Sequence, residues 1–206
     1  MKTLRLLNIN QLICLFAGFS AITSISVHII GWLSLQQMFF VLVLPSFLFI
    51  LNQISKSDKL ASFLMKGWIS GLIAVFIYDL SRIPFMMYGW GDFIPTIGDW
   101  LLGTENTNPI VGYAWRYFGN GGGLGISFAV LSYAFNWNSR MMLKGFLFGM
   151  FVWFCLDLLL IYTENGQNLM FKLTPLSVTG SFVGHVVYGI VLGFMFNKLK
   201  KDEELF

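Results

Sequence analysis

The chain of 206 residues is 56% hydrophobic and only 11% charged, against roughly 25% charged residues in an ordinary soluble domain. This deficit of charge excludes a globular domain that is exposed to water on all sides. The net charge of +3 comes from Lys and Arg residues in short, separated groups, which argues against nucleic-acid binding.

The N-terminal segment begins with Lys2 and Arg5 and continues into an apolar run over residues 12–32. A basic start before an apolar run is also typical of a cleaved signal sequence. This run is longer than the apolar region of such a signal, and it is long enough to cross a hydrocarbon core about 30 Å thick. We therefore expect residues 12–32 to form an uncleaved first membrane span.

Further apolar segments along the chain are long enough, or nearly so, to cross a membrane as helices. The six predicted spans are residues 12–32, 38–54, 60–84, 121–137, 141–162 and 176–196. The second span is short and contains Pro45, but without it the later basic loops would lie on opposite sides of the membrane. The sequence therefore predicts an all-α, polytopic membrane protein with one domain over residues 1–206, surrounded by the lipid bilayer.

Charged and aromatic residues agree on the orientation of these spans. With six spans, one side collects Lys2, Arg5, Lys56, Lys59, Lys66, Arg140, Lys144, Lys198, Lys200 and Lys201. The opposite loops hold Lys172 and Arg116, acids such as Asp92 and Glu164, and several Trp residues. Because cytoplasmic loops are enriched in Lys and Arg, we predict a multi-pass protein of the cell (inner) membrane with both termini in the cytoplasm.

A pattern of four residues recurs along the chain at identical spacing. Lys66, Gly67, Gly71 and Asp79 of the third span are matched by Lys144, Gly145, Gly149 and Asp157 of the fifth. The spans that follow also correspond, with Gly119, Gly123, Phe135 and Asn136 matched by Gly180, Gly184, Phe196 and Asn197. We predict two or three parallel helical hairpins, over about residues 1–57, 58–139 and 140–206. Such repeats occur in some transport proteins, but they do not establish transport.

Glycine residues recur four positions apart within the predicted spans, as in Gly67 and Gly71 or Gly145 and Gly149. In lipid, such pairs let helix backbones approach closely, so that van der Waals contact holds the helices together. We expect these pairs to mediate packing between helices of the same chain rather than a dimer contact.

The longest outer loop, residues 85–119, contains a short amphipathic segment. Apolar residues from Phe93 to Leu101 are spaced to share one face of a helix, Pro95 suits an early helical position, and Asp92 suits a capping position. The sequence therefore predicts a short interfacial helix between spans three and four. Such a helix would act either as a lid over polar residues of the bundle or as an anchor that covers the bundle end.

Ionisable residues at membrane depth are costly and seldom face lipid, so each is a candidate for function. At 1.5 Å per helical residue, Asp79, Asp157 and His185 lie at one level, in the outer part of the bilayer, on three different helices. Arg82 is placed to form an ion pair with Asp79, three residues earlier on the same helix. The candidate residues for binding a ligand or ion are Asp79, Arg82, Asp157, His185, His28, Arg116, Asn120 and Tyr188.

Three interpretations of these polar residues remain open. One is structural, with ion pairs that only set the register between helices. The second is a water-accessible outer site that binds or conducts an ion, a proton or a small solute. The third is a metal site formed by His28, His185, Asp79 and Asp157, or a haem held by the two His residues, in a membrane enzyme. The ligand types suit a metal, but no helix offers two ligands at the usual spacing.

The sequence shows no catalytic signature. No serine lies in a nucleophile elbow, and neither Cys14 nor Cys155 has a His at motif spacing. The glycine-rich run at 119–125 lacks the Lys and the Ser or Thr of a phosphate loop. Ion or solute binding, with transport as one form of it, is therefore the first functional hypothesis. A non-catalytic subunit of a larger membrane complex, with membrane protein partners or as a homo-oligomer, is the second.

Overall fold

The computed structural model describes residues 6–163 and 166–200, and this part of the chain is helical with short connections. Its helices are α1 (Ile9–Ile30), α2 (Leu35–Ile54), α3 (Asp58–Met87), α4 (Ile94–Leu102), α5 (109–134), α6 (Met141–Tyr162), α7 (Gly166–Leu169) and α8 (Pro175–Lys200). Four charged residues used to predict the topology, Lys2, Arg5, Glu164 and Lys201, lie outside the described residues.

Local sequence sets the two ends of α1. At its start, the Asn8 side chain accepts a hydrogen bond from the Gln11 amide at 2.9 Å, and the Gln11 side chain accepts one from the Asn8 amide at 3.1 Å. This reciprocal arrangement satisfies two amides that have no partner within the helix. At its end, Gly31 adopts a φ of 85°, a left-handed conformation that other residues rarely adopt.

Helix α5 changes its winding in the middle. It consists of α-helical Pro109–Ala114, π-helical Trp115–Gly121 and α-helical Gly122–Ala134. Segments of π-helix are rare, and they occur frequently at functional sites. In this chain the π-helical segment contains Arg116 and Asn120, two of the candidate site residues.

Five helices are long and apolar enough to cross a membrane, namely α1, α2, α3, α6 and α8. They make the chain compatible with an integral membrane protein. The predicted span at 121–137 falls within α5, which is not one of the five. Helix α5 is rich in glycine and contains Arg116 and Asn120, and such residues lower its mean hydropathy. The structure thus supports five spans by length and composition, and six crossings stay a prediction.

Helices α3 and α5 run antiparallel in close contact. Gly71 faces the backbone of Gly121, and Gly67 faces that of Gly125, so a side chain at either position on α3 would collide with α5. This contact between small residues is the one that lets helices approach closely in lipid. It confirms that these glycines pack helices of the same chain.

Helices α6 and α8 also run antiparallel and approach each other through glycine. A side chain at Gly145 would collide with the backbone of Gly189, as one at Gly67 would with Gly125. In the second helix pair, Gly189 therefore occupies the position that Gly125 has in the first. This correspondence differs from the one predicted from the sequence, which matched Gly123 with Gly184. Both hairpins therefore use the same kind of contact, while the repeat itself stays a prediction.

Helix α5 lies inside the bundle, against α1 on one side and α3 on the other, and α8 packs against both α3 and α6. Every residue from Gly121 to Val130 is buried. The Ser127 hydroxyl donates a hydrogen bond to the Leu15 carbonyl of α1 at 2.8 Å. Because its neighbours shield the segment 121–130 from the surroundings of the bundle, this part of α5 does not need an apolar surface of its own, whereas Ile110 and Phe118 in the first half are exposed.

Helix α4 covers one end of the bundle, which we call the α4 end. Its residues Ile94 and Ile97 are buried in a cluster with Ile25 and Ile29 of α1 and Trp115 of α5. A helix is thus present within the loop where the sequence suggested one. Its placement at a membrane surface stays a prediction.

Candidate functional site

A cavity of about 470 Å³ lies between α1 and α6, in the half of the bundle nearer the α4 end. Its sides are formed by Phe16, Phe19, Ile22, Thr23, Ile25 and Ser26 of α1 and by Phe151, Val152, Cys155, Leu156 and Leu159 of α6. Thr23 and Cys155 are also exposed on the surface of the bundle. The cavity therefore opens sideways, between two helices, and we call it the lateral cavity.

Aromatic and apolar residues flank the lateral cavity toward both ends of the bundle. Toward the α4 end it is lined by Phe93, Ile97 and Met170. On the other side, the ring of Phe19 lies 6.0 Å from that of Phe148, and Phe128 lies 5.5 Å from Phe148. These three rings form an aromatic cluster on the side of the lateral cavity that is farther from the α4 end.

The back of the lateral cavity is polar. Five residues from three helices form this polar wall: Tyr78 of α3, Arg116 and Asn120 of α5, and His185 and Tyr188 of α8. The Tyr188 hydroxyl donates a hydrogen bond to the Gly121 carbonyl at 3.0 Å, which ties α8 to α5. Four of the eight candidate residues from the sequence are thus brought together. The cavity is apolar along its sides and polar at its inner end.

His185 presents one ring nitrogen to the lateral cavity. Its Nδ1 lies 2.8 Å from the Ser181 carbonyl, and its ring packs edge-on against Tyr78 at 5.2 Å between centroids. Because a carbonyl only accepts hydrogen bonds, Nδ1 carries the proton in the neutral ring and Nε2 carries the lone pair. Within residues 6–163 and 166–200, Nε2 has no hydrogen-bond partner. It is an acceptor that a molecule in the cavity can reach.

Asn120 provides a second unsatisfied acceptor at the polar wall. Its side-chain Oδ1 is buried and has no hydrogen-bond partner in the described part of the chain. A buried polar atom without a partner is uncommon in folded proteins and calls for an explanation. In Asn120 this atom belongs to a residue that lines the lateral cavity, so a bound molecule is one way of satisfying it.

Arg116 is held in place by an ion pair behind the polar wall. Its Nε donates a hydrogen bond to Asp79 Oδ1 at 2.8 Å, and its Nη2 donates to the same oxygen. The guanidinium carbon lies 4.5 Å from the centre of the Tyr78 ring. Arg82 Nη1 lies 3.5 Å from the same Asp79 oxygen, which confirms the pairing predicted from their spacing. Asp79 thus forms ion pairs with both arginines through the same oxygen.

A second acid extends these pairs into the charge network, formed by Asp79, Arg82, Asp92, Tyr113 and Arg116. Arg82 Nη2 lies 3.3 Å from Asp92 Oδ1, and the Tyr113 hydroxyl donates to Asp92 Oδ2 at 2.8 Å. Arg82 itself is only 1% exposed. Two arginines and two aspartates balance in charge, and they join α3, α5 and the segment that leads into α4.

Sequence reasoning missed Tyr113, and it used Asp92 only as an acid of the outer loop and as a residue that caps α4. Asp92 does accept a hydrogen bond from the Ile94 amide at 3.2 Å, yet its larger contribution is to pair with Arg82. The sequence feature that could have indicated this pairing is Gly89, a glycine soon after α3. In the structure Gly89 has a φ of 103° and turns the chain back toward the helix. An acid soon after such a turn is positioned to reach back to an arginine near the end of the helix.

Two candidate residues lie apart from this site, since neither His28 nor Asp157 lines the lateral cavity. The His28 ring packs against Trp100 of α4, with 4.7 Å between ring centres. Asp157 Oδ1 is buried and has no hydrogen-bond partner among the residues that the structure describes. The level shared by Asp79, Asp157 and His185 therefore does not make a single site.

The metal and haem hypotheses have no support in this geometry. In residues 6–163 and 166–200, no three His, Cys, Asp or Glu side chains are grouped so that they could hold a metal ion. The four residues considered for a metal are divided, because only His185 lines the cavity and Asp79 is engaged by two arginines. His28 packs against Trp100 of α4 and does not line the cavity, so the two His residues considered for a haem do not share this site.

A family of unknown function, DUF6789, matches residues 65–205. No curated protein and no solved structure matches the chain. The matched range includes the polar wall and the charge network, whereas α1, which forms one side of the lateral cavity, precedes it. Because the match covers more than half of the sequence, this chain belongs to the family DUF6789.

Proposed function

We propose that this chain is an integral membrane protein with six crossings that binds a small amphiphilic molecule in its lateral cavity. The observation that carries the proposal is the cavity itself, with apolar sides, a polar inner end and an opening on the side of the bundle. Its volume of about 470 Å³ lies within the roughly 300–1,000 Å³ that is usual for small-molecule sites. An amphiphile matches this division into apolar and polar surfaces.

The way α5 accompanies α3 supports the proposal of six crossings. The two helices are in contact from Phe63 and Tyr133 at one end to Asp79 and Arg116 at the other. If α3 crosses the bilayer, a helix that runs antiparallel to it over this length crosses as well. The polar residues of α5 are tolerated at membrane depth because they face the protein interior, where they are paired or line a cavity.

The positive-inside rule supports an orientation with the α4 end outside the cell. Lys56, Lys59, Arg140 and Lys144 lie in or next to the connections at the other end of the bundle, and such connections are cytoplasmic. The lateral cavity then lies in the outer half of the bilayer. Its opening beside Thr23 and Cys155 faces lipid, so a ligand would enter from the outer leaflet.

Binding is better supported than conduction of an ion. The rings of Phe19, Phe128 and Phe148 pack together on the cytoplasmic side of the cavity and leave no polar path there. The charge network is balanced internally, because each of its two arginines is paired with an aspartate. It is suited to hold Arg116 rigidly against the polar wall, and a side chain locked in this way is what a binding site requires.

Photolabelling of the protein in phosphatidylcholine vesicles with a dodecyl diazirine tests this proposal. We expect the label on the cavity-facing residues of α1 and α6, mapped by peptide mass spectrometry. Thr23→Trp narrows the opening and should reduce this labelling about tenfold, which corresponds to about 1.4 kcal/mol of binding free energy. Ile13→Trp, on the same helix but outside the cavity, is the matched control.

Labelling spread evenly over the lipid-facing surface, and unchanged by Thr23→Trp, would contradict a lateral binding site. Circular dichroism of both variants shows whether they keep the helical fold. A fall in cavity labelling in the control variant as well would indicate a general disturbance of α1 and would also count against the site.

A further inference from the structure

We infer that the head group that binds at the polar wall is a neutral hydroxyl, carried as an alcohol or phenol on a hydrocarbon body. The inference rests on the proposed binding function and adds the chemical class of the ligand. It depends on which charges at the wall are already neutralised and on which hydrogen-bonding atoms are left without partners.

The charge balance at the wall disfavours an anionic head group. Arg116 directs two N–H groups to one oxygen of Asp79, and Arg82 is shared between Asp79 and Asp92. No net positive charge is left in the network for a carboxylate or phosphate. A bound anion would therefore remain a buried charge without a partner, which is strongly unfavourable.

The unpaired atoms at the wall require a hydrogen-bond donor. His185 Nε2 carries a lone pair because Nδ1 donates to the Ser181 carbonyl, and Asn120 Oδ1 is a buried acceptor without a partner in the described chain. Tyr188 uses its own proton on the Gly121 carbonyl, so its oxygen too can only accept. An ether or a ketone has no proton to donate, whereas a hydroxyl has one.

A hydroxyl also accepts hydrogen bonds, which suits the remaining donors of the wall. The Asn120 side chain carries an NH₂ group next to its free oxygen, so the amide can donate to the ligand oxygen while His185 accepts from the ligand proton. The hydrocarbon body then lies between the apolar sides of the cavity, near Phe16 and Phe151. A neutral molecule of this kind partitions into the bilayer, from which the cavity opens.

Cys155 provides a reporter for this inference. It lines the lateral cavity at the opening and is a free thiol, while Cys14 is completely buried. In a Cys14→Ala background, Cys155 is the single remaining cysteine of the chain. The rate at which N-ethylmaleimide alkylates it in lipid nanodiscs then measures whether a bound molecule blocks the opening.

Three probes with the same chain separate the head groups: 1-dodecanol, 1-methoxydodecane and dodecanoate. We expect 1-dodecanol to protect Cys155 with a midpoint about tenfold lower than either of the others, the equivalent of about 1.4 kcal/mol. In His185→Phe, which keeps an aromatic ring but loses the main acceptor, the difference between the midpoints of dodecanol and its methyl ether should become much smaller. Asn120→Leu removes an acceptor and a donor, so it should reduce the difference between the two and also weaken protection by the methyl ether, whose oxygen accepts from the Asn120 NH₂ group.

The outcomes distinguish this inference from the function on which it rests. Equal protection by the three probes, or strongest protection by dodecanoate, would overturn the hydroxyl assignment and leave lateral binding intact. A dodecanol preference that persists unchanged in both His185→Phe and Asn120→Leu would overturn it too. Absence of protection by every probe would overturn the binding function and the inference together.

Discussion

Helices α3 and α6 each pack closely against a partner helix through glycine residues, and each carries an aspartate nearer the α4 end. The two aspartates, Asp79 and Asp157, have different surroundings. Asp79 of α3 is paired with Arg116 and Arg82. Asp157 of α6 has a buried oxygen without a partner among the described residues. The cause lies in the opposite helix, because α5 brings an arginine to Asp79, whereas α8 has no Lys or Arg from Pro175 to His185.

This contrast separates a shared framework from what is built on it. The glycine contacts decide how closely the two helix pairs pack, and they are alike in both. The side chains nearer the α4 end differ between the two pairs. Helices α3 and α5 supply most of the charge network, whereas α8 supplies His185 to the polar wall of the cavity. One pair thus positions the site, and the other contributes an unpaired acceptor to it.

The contrast is tested most strongly by removing the acid of α3. Asp79→Ala leaves Arg116 buried without its partner, and we expect the free energy of unfolding to fall by about 3–5 kcal/mol, as when one member of a buried ion pair is removed. The measurement is unfolding in mixed detergent micelles, followed by circular dichroism. The double variant Asp79→Leu with Arg116→Leu should recover most of this loss, because it buries no unpaired charge. A single variant as stable as the unaltered protein would contradict the role of the network.

The shared framework is tested by adding a methyl group to each helix contact. Gly71→Ala and Gly145→Ala should each lower the free energy of unfolding by about 1–3 kcal/mol, because the added carbon overpacks the contact. The same unfolding measurement applies. The matched control is Gly91→Ala, where an added carbon meets nothing within 4 Å and the change should stay within about 0.5 kcal/mol. Sensitivity in only one of the two contacts would break the likeness between the pairs.

The smallest effect is expected for the acid of α6. Asp157→Asn removes a carboxylate that has no ion-pair partner among the described residues, so the free energy of unfolding should not fall by more than about 0.5 kcal/mol, and relief of a partly buried charge can only raise it. Comparison with the much larger effect at Asp79, in the same micelles, checks this directly. A loss above about 1 kcal/mol would mean that Asp157 has a partner in the folded protein, and the contrast between the two helices would disappear.

Much of the fold was predictable because apolar run length is a property of the sequence alone. The span predicted at 141–162 coincides with α6, and the one at 12–32 overlaps most of α1 (Ile9–Ile30). The span predicted at 121–137 was less accurate, since the helix extends over 109–134. Its first half contains Arg116, Asn120 and several glycines, which resemble a loop until α1 and α3 are known to enclose them.

The candidate site was predicted in part, and the physical reason is the range of each contact. Asp79 and Arg82 are three residues apart on one helix, so their pairing follows from helix geometry. The contact between Asp79 and Arg116 joins two helices and depends on how each is rotated about its axis. The rise per residue predicts depth but not rotation, and for that reason His28 and Asp157 were grouped with residues that they do not meet.

The sequence by itself determined that the chain is all-helical, that its helices are apolar enough for a membrane, and that glycine would mediate their packing. Those properties depend on composition and on spacing within one helix. Only the tertiary structure decided that Arg116, Asn120, His185 and Tyr188 line one cavity and that the cavity opens between α1 and α6. Those properties depend on helix rotation and on contacts between distant segments, which local spacing does not specify.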